Sequence, residues 1–296
     1  MLVLKLVYNR ELNFLREIHE LRTILKKKDI IIGIVESMEQ DNHIIKLLCD
    51  DEVYTEKVRE SINLYMSNVL YKIVVSEYRK REMFDFIREN YFFLKQEEII
   101  EVENNIIDIL LLEENINSEN FIFCMNKMNS IIEKIKIVLE ENSEINIDGF
   151  IRFRMKELRE DVDSIVNNII ESYMVEKEYQ EFVKLLKYFV DIQDSKIEEV
   201  NIIINESGNY IIKDKYGEDI FIEFVKELTD NKIDLDTKME DIIISGLITN
   251  SPKILKIHGK GYCNNKEFLE TIAKVFENKV IYCENCELCK KKEIKL

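Results

Sequence analysis

The sequence predicts an α+β protein that is mostly helical, with a small N-terminal α/β module, a central helical region and a small C-terminal α/β domain. Three observations carry that expectation. Of the seven glycines only Gly33 precedes residue 149, and the single proline is Pro252, so the strongest breakers are scarce over a long stretch. Between about 53 and 194 the apolar residues recur at spacings of three and four, the period of a helix. At both ends that period gives way to short Ile- and Val-rich runs bounded by polar turns, which read as strands. The expected boundaries are 1–52, 53–194 and 195–296.

In the first segment, LVLKLVY (2–8) is a strand by its β-rich alternation. NRELNFLREIHELRTILKKK (9–28) sets Leu12, Leu15, Ile18, Leu21 and Leu25 on one helical face, and its closing lysines suit the negative end of the helix dipole. DIIIGIVES (29–37) and HIIKLLCD (43–50) are strands joined by the turn MEQDN, which completes a β-α-β-β module. Helices follow over about 54–90, 97–112 and 118–141. The clearest one spans 147–190, where Ile151, Met155, Leu158, Val162, Ile165, Ile169 and Tyr173 draw one stripe down about six turns. Asp148 is its expected N-cap, with Gly149 serving the entry turn.

The last segment opens with a hairpin, EEVNIIINESGNYIIKD (198–214), whose two β-branched runs flank Glu206-Ser207-Gly208-Asn209. Helices are expected at about 218–228 and 236–248. KILKIHG after Pro252 is a strand, EFLETIAKVF (267–276) a helix and KVIYC (279–283) a final strand. Strand–helix–strand at this length predicts two adjacent parallel strands. His258 and Cys283 should then sit at neighbouring strand ends, on one edge of the sheet.

Composition narrows the function classes. With 46% hydrophobic residues the chain is too apolar to be disordered. Ile, Asn, Lys and Glu abound, Trp is absent and alanine occurs once, at Ala273, a skew that reflects an AT-rich coding sequence. The net charge is −16, most of it in the middle segment, so a phosphate backbone is repelled and nucleic-acid binding is disfavoured. The basic runs at 26–28, 79–81 and 290–292 read as solvated helix ends or tail. No run of about 18 apolar residues exists, so no membrane span is expected. The N-terminal apolar stretch is short, is broken by Lys5 and lacks a small-residue cleavage site, unlike a secretory signal. Six cysteines not spaced as a disulfide framework suit a reducing compartment, and the expected location is the cytoplasm.

The densest chemistry lies in CENCELC (283–289). Cys283, Cys286 and Cys289 form C-x2-C-x2-C, a spacing that lets two thiolates of one loop point at a single tetrahedral ion. The run also opens like a bacterial ferredoxin motif, but the residues after Cys289 contain neither the fourth cysteine nor the proline. Further ligands must therefore come from outside. Cys263 is one candidate and His258 another if the ion is zinc; both fall in IHGKGYC, whose Gly259 and Gly261 permit close approach. The candidate metal ligands are thus Cys283, Cys286, Cys289, Cys263 and His258, with zinc preferred to an iron–sulfur cluster. Metal-free thiols in a redox role, with Lys290–Lys292 supplying a positive field, are the alternative, and inert surface cysteines the bland one.

Other features favour structural readings. Cys49 and Cys124 sit in apolar runs and should be buried, while His19 and His43 should lie at the surface. Gly259-Lys260-Gly261 has no phosphate-loop spacing, G-x-S-x-G is absent, and no catalytic residue is identified. Arg152, Arg154, Lys156 and Arg159 crowd the start of the long helix against its dipole, so they need carboxylate partners or an anionic ligand. Nucleic-acid binding through this cluster is a third functional reading. Glu176, Glu178 and Glu181, interleaved with Lys177 and Lys184, read as a salt-bridged face and not as paired catalytic acids.

Six segments occur in a set order: GFIRFR (149–154), EKEYQEFVKLLKYFVDIQ (176–193), DIIISGLITNSPKIL (241–255), the IH at 257–258, ETIAKVF (270–276) and CENCELC (283–289). Over roughly residues 145–289 the chain resembles the YtxC-like family of sporulation proteins from endospore-forming bacteria. The resemblance implies a process, endospore formation, and no established reaction. On that basis the expected function is a sporulation-associated binding or scaffold protein with a protein partner.

Overall fold

The computed structural model describes residues 1–9, 14–112, 118–229, 238–283 and 286, apart from a few side chains within the helices. In chain order the elements are β1 (Leu2–Asn9), α1 (Leu15–Lys26), β2 (Ile32–Glu39), β3 (Asn42–Cys49), α2 (Glu56–Tyr78), α3 (Phe84–Asn90), α4 (Gln96–Leu110), α5 (Ser118–Glu141), β4 (Glu144–Asn146) and α6 (Ile147–Ile192). They continue with β5 (Glu199–Ile204), β6 (Tyr210–Asp214), α7 (Phe221–Thr229), α8 (Met239–Asn250), β7 (Ile254–His258), α9 (Lys266–Phe276) and β8 (Val280–Cys283). The fold is α+β and mostly helical, as the sequence predicts. Two compact units divide it, Met1–Met174 and Val175–Leu296, and α6 contributes residues to both.

The first unit builds a four-stranded sheet in the order β2-β3-β1-β4. β1, β3 and β2 are antiparallel neighbours, and the two-residue turn between β2 and β3 holds Gln40 in the left-handed region, at φ 56°. β4 adds in parallel to β1, from Lys5 opposite Glu144 to Val7 opposite Asn146. This strand is not foreseen from sequence: it has three residues and one buried side chain, Ile145, too few to display an alternation. The helices share one apolar core with the sheet, including Ile18, Leu21 and Leu25 of α1 and Ile62, Met66 and Leu70 of α2. A π-helical turn, Arg79–Met83, joins α2 to α3 with neither glycine nor proline to announce it.

The long helix buries the predicted stripe: Ile151, Leu158, Val162, Ile165 and Ile169 are all in the core, with Tyr173 packed at its margin. The side chain of Met155 is not among those described. The cap differs from expectation. Asn146 Oδ1 accepts the Gly149 N–H at 2.8 Å, so the capping side chain is Asn146, two residues earlier than Asp148. Asp148 instead accepts the backbone N–H of Asn9 at 2.8 Å and ties the end of β1 to the helix start. Farther along, Asp161 is buried and takes Lys127 at 2.9 Å and Lys134 at 2.6 Å from α5. Burial acts to raise its pKa, but the hydrogen bonds and charges of the two lysines more than offset it, and the carboxyl titrates below its ordinary range. Within the basic cluster, Arg154 pairs with Glu157, and Arg159 reaches both Glu82 and Asp163.

The second unit holds the other four-stranded sheet, ordered β6-β5-β7-β8. β5 and β6 form the predicted hairpin, while β5, β7 and β8 run parallel. Val200, Ile202 and Ile204 of β5 and Leu255 and Ile257 of β7 face a core filled by Phe224, Ile243, Leu247, Ile272 and Phe276. At Gly246 in α8 a Cβ would lie 2.2 Å from the ring of Phe224, so only glycine allows α7 and α8 this separation. Val183 and Val190 of α6 close the same core.

Candidate metal centre

Three side chains of the second unit converge at the ends of parallel strands. α9 crosses from β7 to β8 with Phe268, Leu269, Ile272, Val275 and Phe276 buried beneath it. The resulting register pairs Leu255 with Val280 and ends with His258 directly opposite Cys283. His258 follows the buried Ile257, so strand alternation turns it to the other face of the sheet. It is buried there nonetheless, at 3% exposure. Its Nδ1 lies 3.3 Å from Cys286 Sγ. The ligand atoms of His258, Cys283 and Cys286 all lie within 4.8 Å of one another. Around tetrahedral zinc, with bonds of about 2.0–2.3 Å, neighbouring nitrogen and sulfur ligands stand roughly 3.5 Å apart. The three groups are therefore close to the separation one ion requires.

The imidazole is oriented by Asn201 on β5. Ile203 is opposite His258 in the β5–β7 register, which puts Asn201, two residues earlier, on the same face. The Asn201 Nδ2 donates to Glu199 Oε1 at 3.1 Å and to the Asp214 carbonyl at 3.2 Å. Both partners are acceptors, so the amide has one sensible orientation, with Oδ1 toward the histidine. His258 Nε2 lies 3.1 Å from that oxygen and must carry the proton it accepts. Nδ1 is then the bare nitrogen, and it faces Cys286. Imidazoles that bind metals are commonly held this way, with the second ring N–H donated to a carbonyl or carboxylate. Burial, with the nearby Lys256 cation, pushes the His258 pKa below its ordinary value against the opposing pull of Glu199. That shift favours the neutral ring, the form that ligates metal.

Of the other candidates, Cys263 is engaged elsewhere. Its Sγ lies 3.1 Å from the Asn265 carbonyl and 3.5 Å from the Tyr210 hydroxyl, within a cluster at the start of α9. Gly259 explains the diversion. At φ 69° it is left-handed, and a Cβ there would sit 2.2 Å from the Ile204 carbonyl oxygen. The short 3-10 turn Lys260–Tyr262 then carries the chain on to Asn265, which caps α9 by accepting the Phe268 N–H. Gly261 has open space and an ordinary φ, so the close approach belongs to Gly259 alone. Cys289 and Lys290–Lys292 lie outside the described residues. Cys49 and Cys124 are buried, as expected. Asn201 is not among the residues expected from sequence, although a polar residue inside the apolar run of β5 is a visible signal.

The chain matches the model of the YtxC-like family over residues 64–281. It belongs to the YtxC-like family. An uncharacterised protein of Bacillus subtilis (strain 168), YtxC, is similar at 24% identity over 181 residues, covering 58% of this chain and 62% of that protein. The match thus spans under two thirds of the relative's length. No solved structure matches the chain. His258 and Asn201 lie within the residues matched to the YtxC-like family, whereas Cys283 and Cys286 fall just beyond them. No helix among the described residues is long and apolar enough to cross a membrane.

Proposed function

We propose that this YtxC-like chain is a sporulation-associated cytoplasmic binding or scaffold protein whose second unit is stabilised by one zinc ion. His258 Nδ1, Cys283 Sγ and Cys286 Sγ supply three ligands, and the C-x2-C spacing offers Cys289 for the fourth. The observation that carries this reading is the Asn201 amide, whose orientation leaves the bare imidazole nitrogen directed at Cys286. A hydrogen-bonded, neutral histidine between two cysteines matches a structural zinc site, in which four protein ligands leave no open position for chemistry. The unit would then present its surfaces to a protein partner.

The same Cys286–His258 contact supports a second reading, a reactive thiol whose proton the imidazole takes. One experiment separates the two. Protein purified without oxygen should contain about one zinc per chain and show no visible charge-transfer bands. Cys286→Ser should lose the ion and lower the unfolding temperature of the second unit. Protein free of metal, with stability indifferent to chelator, would overturn the zinc reading; altered thiol reactivity at unchanged stability would favour the redox one.

A further inference from the structure

Where α6 runs along the second unit, two strips of its surface differ sharply. Val183 and Val190 are buried, and Tyr179 and Leu186 pack against the same core. On the strip of helix surface beside them Val175, Phe182, Leu185, Tyr188, Phe189 and Ile192 are between 40% and 68% exposed. Val175, Phe182 and Phe189 recur every seven residues, with Leu185 and Ile192 falling three residues after the latter two. That is the a/d spacing of a coiled coil, carried on a strip of the helix that borders the one used by the core.

We propose that this face pairs with the same face of a second copy of the chain, the two α6 segments running antiparallel about a two-fold axis. Three arguments choose that occupant. A strip that repeats every 3.5 residues fits best against another helix carrying the same repeat, and a two-fold interface uses one patch twice. Six large side chains, each with on the order of 100 Å² exposed, amount to roughly 1,200 Å² across both copies, the lower end of stable interfaces. Charge then sets the direction. Glu178 is the one charged residue in the seam, and parallel pairing in register would press it against its own copy, whereas antiparallel pairing sends the two to opposite ends. Lys177, Lys184 and Asp191 fall at c positions, outside the seam and its flanks, so the direction rests on Glu178.

The test is the association state of the full chain by sedimentation over about 1–100 µM, the range such an area supports. A dimer is expected. Leu185→Glu, which places a carboxylate in the seam twice per dimer, should weaken association about a hundredfold or more while helix content is unchanged. Phe182→Ser is a gentler variant that should act in the same direction. A chain that stays monomeric at the top of the range overturns the proposal, as does a dimer indifferent to Leu185→Glu. A monomer that melts earlier with Leu185→Glu would overturn it too, by showing that the chain covers this face itself.

Discussion

The two sheets are built from the same parts and come to different ends. Each has four strands, each mixes parallel with antiparallel pairing, and in each a parallel pair brings two strand ends to one edge. In the first unit those ends are Asn9 and Asn146, and the edge serves the start of α6: Asn146 caps the helix and Asp148 holds the Asn9 amide. In the second unit the ends are His258 and Cys283, and the same kind of edge gathers nitrogen and sulfur. Topology supplies the convergence in both cases. What differs is the residue type at the last position of each strand, joined in the second unit by Cys286 beyond β8 and by Asn201 behind the imidazole.

Four variants would sharpen or break this contrast. The largest effect is expected at the second edge, where Cys286→Ser should reduce zinc affinity at least about a hundredfold and remove several kcal/mol of stability from the second unit, read by competition with a chromophoric chelator and by calorimetry. Gly259→Ala should cost about 2–4 kcal/mol, because a Cβ meets the Ile204 carbonyl in a left-handed turn, and it should loosen zinc binding as His258 shifts. Wild-type zinc affinity in that variant would show that the turn does not govern the site.

In the first unit, Asp161→Asn should cost about 1–3 kcal/mol at neutral pH by leaving two lysines without their carboxylate. The folded pKa of Asp161 is depressed, so its contribution is full above the ordinary carboxylate range and is lost as pH falls through the folded value. Urea unfolding should therefore find the gap between wild type and variant narrowing in acid; a gap that widens would contradict the assignment. Asn146→Ala is the mildest, about 1 kcal/mol through the lost cap, and it should leave zinc content untouched.

Much of the second edge was legible before any coordinates. KILKIHG and KVIYC each end an apolar run on a polar or ligating residue, and a helix between them demands a parallel crossover, which puts His258 beside Cys283. Periodicity likewise exposed the buried stripe of α6. Less legible was anything decided by a single backbone angle. The left-handed Gly259 turns Cys263 toward Asn265 and Tyr210, and spacing carries no information about that choice. Sequence alone does not choose between Asn146 and Asp148 as the cap of α6, because both are good caps and β4, which brings Asn146 to the helix start, is too short to show a pattern. The part of Asn201 is hidden for a related reason: it depends on the register between β5 and β7, a relation between distant segments.

β8 has one more consequence. It is an outermost strand, only four residues long, with Ile281 and Tyr282 partly open to solvent. A longer strand here would offer a row of unpaired amides on which a foreign strand could grow. Instead the ladder ends at Cys283, opposite His258, and Cys286 Sγ lies against the same imidazole. The strand end that carries the first thiol therefore also cuts short a template for aggregation.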